Sequence, residues 1–591
     1  MHPMRLRLFP IFLLAVPLSI FAQDKGLPPV AERLRAQNAL FDEQYESDLR
    51  EFPERATSFG DYRYNDQLSE RSIAATERRE KTDQAFLVRL EAISTTGFPD
   101  QDQLSHDLLV RGLKQRIADF ELKEYEMPVN QFNGVHTALA DLPNSVPLDS
   151  VKHYEDYIAR LHQIPRSLSE TTEVLRAGMQ DKLMPVRFLL EKVPVQCEGI
   201  IEANPFLSPT SKYPASISAE DQKRLTQLIT DAVNVEVLPA YRTFAAFIRT
   251  EYAPQGRTTL SVTSLPDGEK RYENNIYARI TTHMTAEEIH QLGLREMDRI
   301  QAEMTAIAKK EGFADLSAFR ASLKNNPKYT PQSAEQILDA FRHYIAQMQP
   351  KLPELFTVLP KSPVTVEAIP AFQAAMATHY VAGTPDGKRA GRVVVATSNF
   401  AERLLIGDEA IAYHEGIPGH HMQLSIQRQL TGLPKFRLQG LGFNAFVEGW
   451  ALYAEQLGKE VGFYQDPVSD YGRLSSELFR AVRLVVDTGI HAKGWTREQV
   501  VEFMRKSGAI DEPTIQSETD RYIAWPAQAC SYKIGQLKFR ELRERAQREL
   551  GAKFDLRAFH DEMLNGGSMP LDLLEARTVK WIAEQKAASS H

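Results

Sequence analysis

The chain has 591 residues, of which 43% are hydrophobic and 25% are charged, proportions typical of a globular protein. Its two cysteines, Cys197 and Cys530, are too few for a disulfide scaffold or a cysteine-built zinc site, although they could pair with each other. A formal charge of −8 argues against a nucleic-acid partner, which would require a basic surface.

The first 22 residues predict a signal peptide rather than part of the fold. Arg5 and Arg7 form a basic start, the run from Leu8 to Phe21 is apolar, and polar residues follow Ala22, after which we expect cleavage. The alternative is an N-terminal membrane anchor, but a run of 14 residues is shorter than the roughly 20 that a span needs. We therefore expect a periplasmic or secreted protein with no membrane segment after cleavage.

Helical periodicity dominates the chain up to residue 350. Apolar residues recur at helical spacing from Val30 to Phe52, where Pro53 ends the pattern. The same spacing predicts further helices over roughly 72–95, 103–123, 150–180, 218–253, 285–312 and 332–349. We treat residues 23–350 as a helical N-terminal region that forms one wall of a cleft.

The pattern changes after residue 350. Two β-branched runs bounded by Pro and Gly predict strands over 364–369 and 391–397. Helical patterning returns over 401–430, 444–460, 468–493, 514–549 and 570–587. The sequence thus predicts a mainly α fold with a small β-sheet just before one particular helix, and a catalytic region over residues 351–591.

That helix contains three histidines and a glutamate within eight residues: His414, Glu415, His420 and His421. Zinc-hydrolase helices usually carry H-E-x-x-H, in which two histidines share a face and the Glu is the general base. In a regular helix His414 and His420 would differ by about 240°, and His414 and His421 would be about 10.5 Å apart. Both arrangements are unsuitable for joint ligation of one ion.

Pro418 and the glycines near it predict that this helix is not regular. Pro418 cannot donate a helical hydrogen bond, and Gly416 and Gly419 tolerate unusual backbone conformations. We expect a bulge or kink at residues 417–419 that brings His420 back toward His414. The alternative is a helix that ends at Ile417 beside a surface histidine cluster.

The next predicted helix supplies a third ligand. Glu448 lies among apolar residues, where an unpaired carboxylate would be costly. It would complete a His₂Glu site with an open position for water, as in catalytic zinc sites. Glu455 shares its helix face, so we expect Glu455 to orient a ligand histidine, unless it is simply solvated.

The segments 414–421 (HEGIPGHH) and 448–455 (EGWALYAE) resemble the bacterial "domain of unknown function 885" family, and the resemblance extends from about residue 41 to the C-terminus. That family in turn resembles gluzincin-type zinc metallopeptidases, including thimet-type oligopeptidases and Taq-type carboxypeptidases. Their second ligand histidine follows a glycine, as His420 follows Gly419 here, although two residues are inserted. The resemblance implies a deep groove for short peptides and one Zn²⁺. We expect His414, His420 and Glu448 as its ligands, with His421 as the alternative second ligand, otherwise hydrogen-bonded to Glu455 or lining the cleft.

Further residues are candidates for the same site. Arg483, Asp487 and His491 form one helical stripe, in which Asp487 would support a catalytic group and His491 would stabilise the oxyanion; the alternative is a surface salt-bridge ladder. The resemblance also covers Arg521, Tyr522 and Tyr532. It implies that they bind a substrate carboxylate or the tetrahedral intermediate, although without it they would be interpreted as structural. The strand before Asn399 resembles a gluzincin edge strand that pairs with substrate, so Asn399 is a further substrate-binding candidate.

The sequence therefore predicts a zinc-dependent metallopeptidase that hydrolyses short peptides. Glu415 would accept the proton of a metal-activated water, and His491 or Tyr532 would stabilise the oxyanion. One alternative is a non-catalytic periplasmic binding protein of the same fold, against which Glu415 argues because metal binding alone needs no base. Another is a non-haem iron enzyme that uses the same His and Glu ligands.

Overall fold

The structure, a computed structural model, describes residues 27–324, 326–369, 377–383, 390–398, 400–438 and 442–588. The predicted signal peptide and the candidate Asn399 lie outside these ranges. Within them the protein is mainly helical with one small sheet, which confirms the predicted fold class. No helix in the described ranges is both long and apolar enough to cross a membrane.

Seventeen helices precede the sheet in the described part of the chain. They are α1 Val30–Glu51, α2 Pro53–Ser58, α3 Ile73–Glu91, α4 Asp100–Glu121, α5 Val135–Ala140, α6 Leu142–Ser145, α7 Val151–Leu161, α8 Ile164–Gln180, α9 Arg187–Leu190, α10 Lys192–Ala203, α11 Ala219–Ala232, α12 Leu238–Phe247, α13 Gly268–Ile280, α14 Ala286–Lys310, α15 Leu316–Leu323, α16 Ala334–Met348 and α17 Leu352–Leu355. The single helix predicted over 150–180 is two helices, because Pro165 opens α8 and cannot continue α7.

The strands are β1 Val364–Ala368, β2 His379–Val381 and β3 Gly391–Val395. Their order is β1-β3-β2, with β1 parallel and β2 antiparallel to β3. The two predicted strands are confirmed as β1 and β3, whereas β2 is too short to leave a pattern in the sequence. The expectation that the strand after residue 391 is an edge is wrong, because β3 is hydrogen-bonded on both sides and has no free edge for an extended peptide.

Ten helices follow the sheet in the residues that the structure describes. They are α18 Asp408–Glu415, α19 His420–Gln429, α20 Lys435–Leu438, α21 Asn444–Glu460, α22 Pro467–His491, α23 Arg497–Ser507, α24 Glu512–Ala524, α25 Ser531–Leu550, α26 Leu556–Leu564 and α27 Leu571–Ala588. The helix predicted over 514–549 is divided into α24 and α25 at Pro526, where Ala527 adopts a left-handed conformation with φ of 63°.

The largest apolar core is built from both sides of residue 350. It joins Phe41 and Phe341 to Trp450 and Phe539, which lie on helices near the predicted site. A second core lies within residues 68–253, and a third surrounds α14 and α22. Cys197 belongs to the second core and Cys530 to the first, and both are buried free thiols, so they do not pair.

Two helices of the largest core cross unusually closely. A Cβ atom added at Gly449 of α21 would lie 2.4 Å from the Cα of Gly535 in α25, which is closer than any side chain could approach. Glycine at both positions therefore lets the two backbones touch. This crossing fixes the position of Glu448, the residue immediately before Gly449.

Candidate metal centre

The predicted metal-binding helix is interrupted between Glu415, the last residue of α18, and His420, the first residue of α19. The amide of Gly419 donates to the carbonyl of Tyr413 at 2.9 Å, so the chain folds back on the last turn of α18. A Cβ at Gly419 would lie 2.0 Å from the carbonyl oxygen of His414, which only glycine avoids. The indole Nε1 of Trp450 in α21 donates to the carbonyl of Pro418 at 2.9 Å and holds this turn. The expected distortion at residues 417–419 is thus a complete break between two helices.

The break brings the two histidines together. Their rings are 4.9 Å apart, centroid to centroid, and almost perpendicular. Nε2 of His414 lies 3.6 Å from Oε2 of Glu448, and Nε2 of His420 lies 3.5 Å from the same oxygen. One ligand atom from each residue fits within 4.8 Å of the other two. His414, His420 and Glu448 therefore converge as the sequence predicts, and we call them the triad.

The two histidines of the triad are buried, and a second carboxylate supports the triad. Glu455, which is 2% exposed, accepts a hydrogen bond from Nδ1 of His414 at 2.8 Å, so Nε2 is the ring nitrogen directed to the triad. Burial lowers the pKa of His414, but hydrogen bonding to Glu448 and Glu455 outweighs burial and raises the pKa to about 9. Burial raises the pKa of Glu448, but both histidines hold that pKa well below its usual range. The surroundings thus stabilise positive charge at the triad.

The proposed base, Glu415, lies beside the triad. Its Oε2 is 3.9 Å from Nε2 of His420, and the residue is 9% exposed. It belongs to the last turn of α18, one residue after His414, so the same helix end presents both a candidate ligand and a candidate base.

His421 turns away from the triad toward the small sheet. Its Nε2 donates to the carbonyl of Ser362 at 3.0 Å, and its Nδ1 accepts from the hydroxyl of Tyr380 in β2 at 2.9 Å. Burial lowers the pKa of His421 to about 4, so the ring is neutral. Glu455 is hydrogen-bonded to His414 and not to His421, so the expectation that His421 bonds Glu455 is wrong.

His491 is enclosed by backbone groups. Its Nδ1 accepts from the amide of Val262 at 3.1 Å, its Nε2 donates to the carbonyl of Tyr522 at 2.9 Å, and its surface exposure is 0%. Burial lowers its pKa to about 3. Because both ring nitrogens are engaged, this arrangement gives no support to the expected oxyanion role, and we assign His491 a structural one.

Asp487 is also fully buried. It accepts from the hydroxyl of Tyr272 at 2.7 Å and from the amide of Ala527 at 2.9 Å, and it thereby stabilises the turn between α24 and α25. Burial raises its pKa to about 7. Asp487 and His491 therefore connect helices to neighbouring loops, and the alternative of a surface salt-bridge ladder is wrong as well.

The candidates on α24 and α25 lie together around a buried arginine of α22. The hydroxyl of Tyr522 accepts from Nε of Arg483 at 3.0 Å and donates to Glu518 at 2.7 Å. Arg521 bonds Glu518 at 3.0 Å, and the guanidinium of Arg483 lies 4.6 Å from the ring centroid of Tyr532. The hydroxyl of Tyr532 makes no hydrogen bond to the described residues. Arg521, Tyr522 and Tyr532 are thus brought together as one cluster.

Two residues that support the site were not identified from the sequence. Tyr380 lies in a three-residue strand without periodicity, and nothing in its neighbourhood signals a contact with His421. Trp450 lies two residues after Glu448, and its position in the motif indicates burial but not a bond to the turn at Pro418.

Residues 53–578 match the family model described as "Bacterial protein of unknown function (DUF885)", so the chain belongs to this family. The fold is similar to the crystal structure of a "putative lipoprotein" from Colwellia psychrerythraea, with a TM-score of 0.86 and 26% identity over 93% of this chain and 99% of that one. It is also similar to a "putative lipoprotein of unknown function" from Shewanella oneidensis, with a TM-score of 0.72 and 20% identity over 93% of this chain and 100% of that one. No curated protein matches the sequence. The predicted family is confirmed, and the likeness to gluzincin peptidases stays a prediction.

Proposed function

We propose that the protein is a zinc-dependent metallopeptidase that hydrolyses short peptides. One observation carries the proposal: Nε2 of His414, Nε2 of His420 and a carboxylate oxygen of Glu448 converge, with the Glu415 carboxylate beside them. A site that only bound metal would need no such additional carboxylate. The proposal agrees with the resemblance of the HEGIPGHH segment to gluzincin peptidases.

The triad fits zinc in both geometry and chemistry. Zinc with ligand bonds of about 2.0–2.2 Å holds tetrahedral ligand atoms roughly 3.3–3.6 Å apart, and the two His–Glu separations are 3.6 and 3.5 Å. Two imidazoles and one carboxylate are the ligands of many catalytic zinc sites and leave a position open. Glu448 and Glu455 both contact His414, so the site carries negative charge that favours a cation.

In the proposed reaction, each residue around the triad has its own role. Zinc would supply a Lewis acid that polarises the peptide carbonyl and lowers the pKa of a water molecule. Glu415 would accept the proton of the attacking water and pass it to the leaving amine. Tyr532 remains the candidate for hydrogen bonding to the oxyanion, because its hydroxyl makes no bond to the described residues, whereas His491 is not carried forward.

We further propose that the protein acts in the periplasm or outside the cell on peptide substrates, without a nucleic-acid partner. The basic and apolar start of the sequence supports export, with cleavage after Ala22. The similar structures from Colwellia and Shewanella are described as putative lipoproteins, which are proteins of the cell envelope, and this agrees with export.

Elemental analysis of the full chain, purified without added metal, tests the proposal. We expect about one zinc per chain, peptide hydrolysis that a chelator abolishes, and recovery of hydrolysis on adding zinc. Iron in place of zinc would favour the non-haem iron alternative. Bound zinc without turnover of any member of a defined set of short peptides would favour the non-catalytic binding protein.

A further inference from the structure

Three arginines lie at the junction of α22, α24 and α25. Arg483 and Arg521 pair with Glu518, and Arg480 is one turn before Arg483 on α22; we call these three residues the arginine cluster. Glu518 accepts from Arg483 at 3.1 Å and from Arg521 at 3.0 Å. In the part of the chain that the structure describes, Glu518 is the one carboxylate that forms an ion pair with the cluster. The cluster therefore carries two positive charges more than its carboxylate neutralises, in a protein whose formal charge is −8.

Two of the guanidinium groups have N–H donors without an acceptor. Nη1 of Arg483 and Nε of Arg480 are buried, and neither has a hydrogen-bond partner among the described residues. Arg483 itself is only 5% exposed. Leaving a charged donor buried and unsatisfied is costly. The guanidinium carbons of Arg480 and Arg483 lie 5.6 and 4.1 Å from the ring centroid of Phe479, so the two groups are close to each other.

Aromatic rings form the walls of this location. The guanidinium carbon of Arg483 lies 4.1 Å from the ring centroid of Phe479 and 4.6 Å from that of Tyr532. Both rings lie close enough for cation–π attraction, which restricts the orientation of the planar guanidinium. The side chains of Glu518 and Arg521 are 15% and 18% exposed, so the cluster borders the solvent.

The cluster is connected to the triad through α25. Tyr532 lies one turn before Gly535, and Gly535 contacts Gly449, the residue after Glu448. Tyr532 and Gly535 share a face of α25, so this face links the cluster to the residue beside Glu448.

We propose that the arginine cluster binds the carboxylate of a peptide substrate, specifically its free C-terminus. Arginine pairs with carboxylates through two parallel hydrogen bonds, and Arg483 offers a donor that none of the described residues accepts. The proposal rests on the proposed peptidase function and adds a substrate class to it: short peptides that end in a free carboxylate. An acidic side chain of the substrate has the same chemistry, and the experiment separates the two sources.

The test is the binding of three probes to the full-length Glu415→Gln variant, in which we expect turnover to be about 10²-fold slower or more. The probes are Ala-Ala-Ala, its C-terminal amide, and Ala-Ala-Asp with an amidated C-terminus. We expect the free acid to bind about 10- to 100-fold more tightly than its amide, as charge-assisted hydrogen bonds predict. The Asp peptide should bind like the amide. In the added Arg483→Gln variant, the ratio between acid and amide should fall toward one.

Arg543 provides a matched control. It also bonds a tyrosine hydroxyl, that of Tyr453 at 3.0 Å, and a glutamate, Glu460 at 2.7 Å. Arg543→Gln should therefore keep the ratio between acid and amide. If Arg483→Gln does not fold, Arg480→Gln at the half-buried neighbouring position is measured instead, and the same fall in the ratio is expected.

Three results would overturn the proposal. The first is a ratio near one without the arginine substitution, and the second is equal weakening of acid and amide by Arg483→Gln, which would indicate a structural role. The third is an Asp peptide that binds as tightly as the free acid, which would assign the site to side chains. Failure of the proposed function is separate, because it would appear as absent hydrolysis by the zinc-loaded protein while the binding ratio persisted.

Discussion

Nδ1 of His414 lies 2.8 Å from Oε1 of Glu455, and Glu455 is two turns after Glu448 on the same helix. One helix thus supplies a candidate ligand and the carboxylate that orients a second ligand. Because the carboxylate accepts a hydrogen bond from Nδ1, Nε2 is the ring nitrogen left to bind a metal ion. Helix α21 therefore determines both the position of Glu448 and the orientation of the His414 ring.

Removing the charge of Glu455 should weaken metal binding. We expect Glu455→Gln to raise the Kd for zinc by about 10-fold or more, since residues that orient metal ligands typically contribute 10- to 100-fold. Competition with a chromogenic chelator measures the change. Glu460→Gln, on the same helix but paired with Arg543, is the control and should leave the Kd unaltered. Equal zinc affinity in the two variants would contradict an orienting role for Glu455.

Substituting Glu415 should separate metal binding from turnover. We expect Glu415→Gln to keep about one zinc per chain and to lower kcat by roughly 10²-fold or more, because a positioned general base typically contributes that much. Metal analysis and peptide hydrolysis on the same preparation give both quantities. A variant that hydrolysed peptides as fast as the unaltered protein would rule out Glu415 as the base.

The two adjacent histidines should behave differently. His420→Ala removes a triad member, so we expect loss of stoichiometric zinc. His421→Ala removes the bonds to Ser362 and Tyr380, so we expect zinc to be retained while the sheet is less firmly attached to α19. Metal content after gel filtration distinguishes the variants. Zinc lost from His421→Ala and kept by His420→Ala would reverse the assignment.

Gly419, in the turn between the two histidines, should tolerate no side chain. In Gly419→Ala the new Cβ would clash with the carbonyl of His414, and we expect a lower unfolding temperature together with weaker zinc binding. Gly407→Ala, just before α18, is the control, because a Cβ there has no neighbour within 4 Å. Equal unfolding temperatures and zinc affinities in the two variants would show that the close approach at Gly419 is unimportant.

Residue types, the glycines near Pro418 and the family resemblance predicted the triad, but they could not predict contacts made by distant elements. His414, His420 and Glu448 could be proposed as ligands from the sequence because few residue types bind zinc. Pro418 and the nearby glycines indicated that the helix is broken between the two histidines. The role predicted for His491 was wrong for a different reason. Its place on a helical stripe indicates a shared face, yet whether that face meets solvent, a substrate or backbone depends on Val262 and Tyr522, which lie far away in the sequence. The short strand β2 likewise owes its existence to pairing with β3 rather than to a local pattern.

Burial of Asp487 should make stability depend on pH in a specific direction. Burial raises its folded-state pKa to about 7, whereas an unfolded aspartate has a pKa of about 3.9. Between about pH 4 and pH 7 the folded protein therefore keeps a proton that the unfolded chain has lost, and the free energy of unfolding falls as the pH rises through this range. Asp487→Asn cannot ionise, but its carbonyl oxygen can still accept from Tyr272 and Ala527. We expect the unfolding temperature of the variant, relative to that of the unaltered protein, to increase from pH 4.5 to pH 7.5, measured by thermal unfolding at several pH values. Other titrating groups cancel in this difference, so a difference that did not vary with pH would show that Asp487 ionises in the folded protein as it does in the unfolded chain.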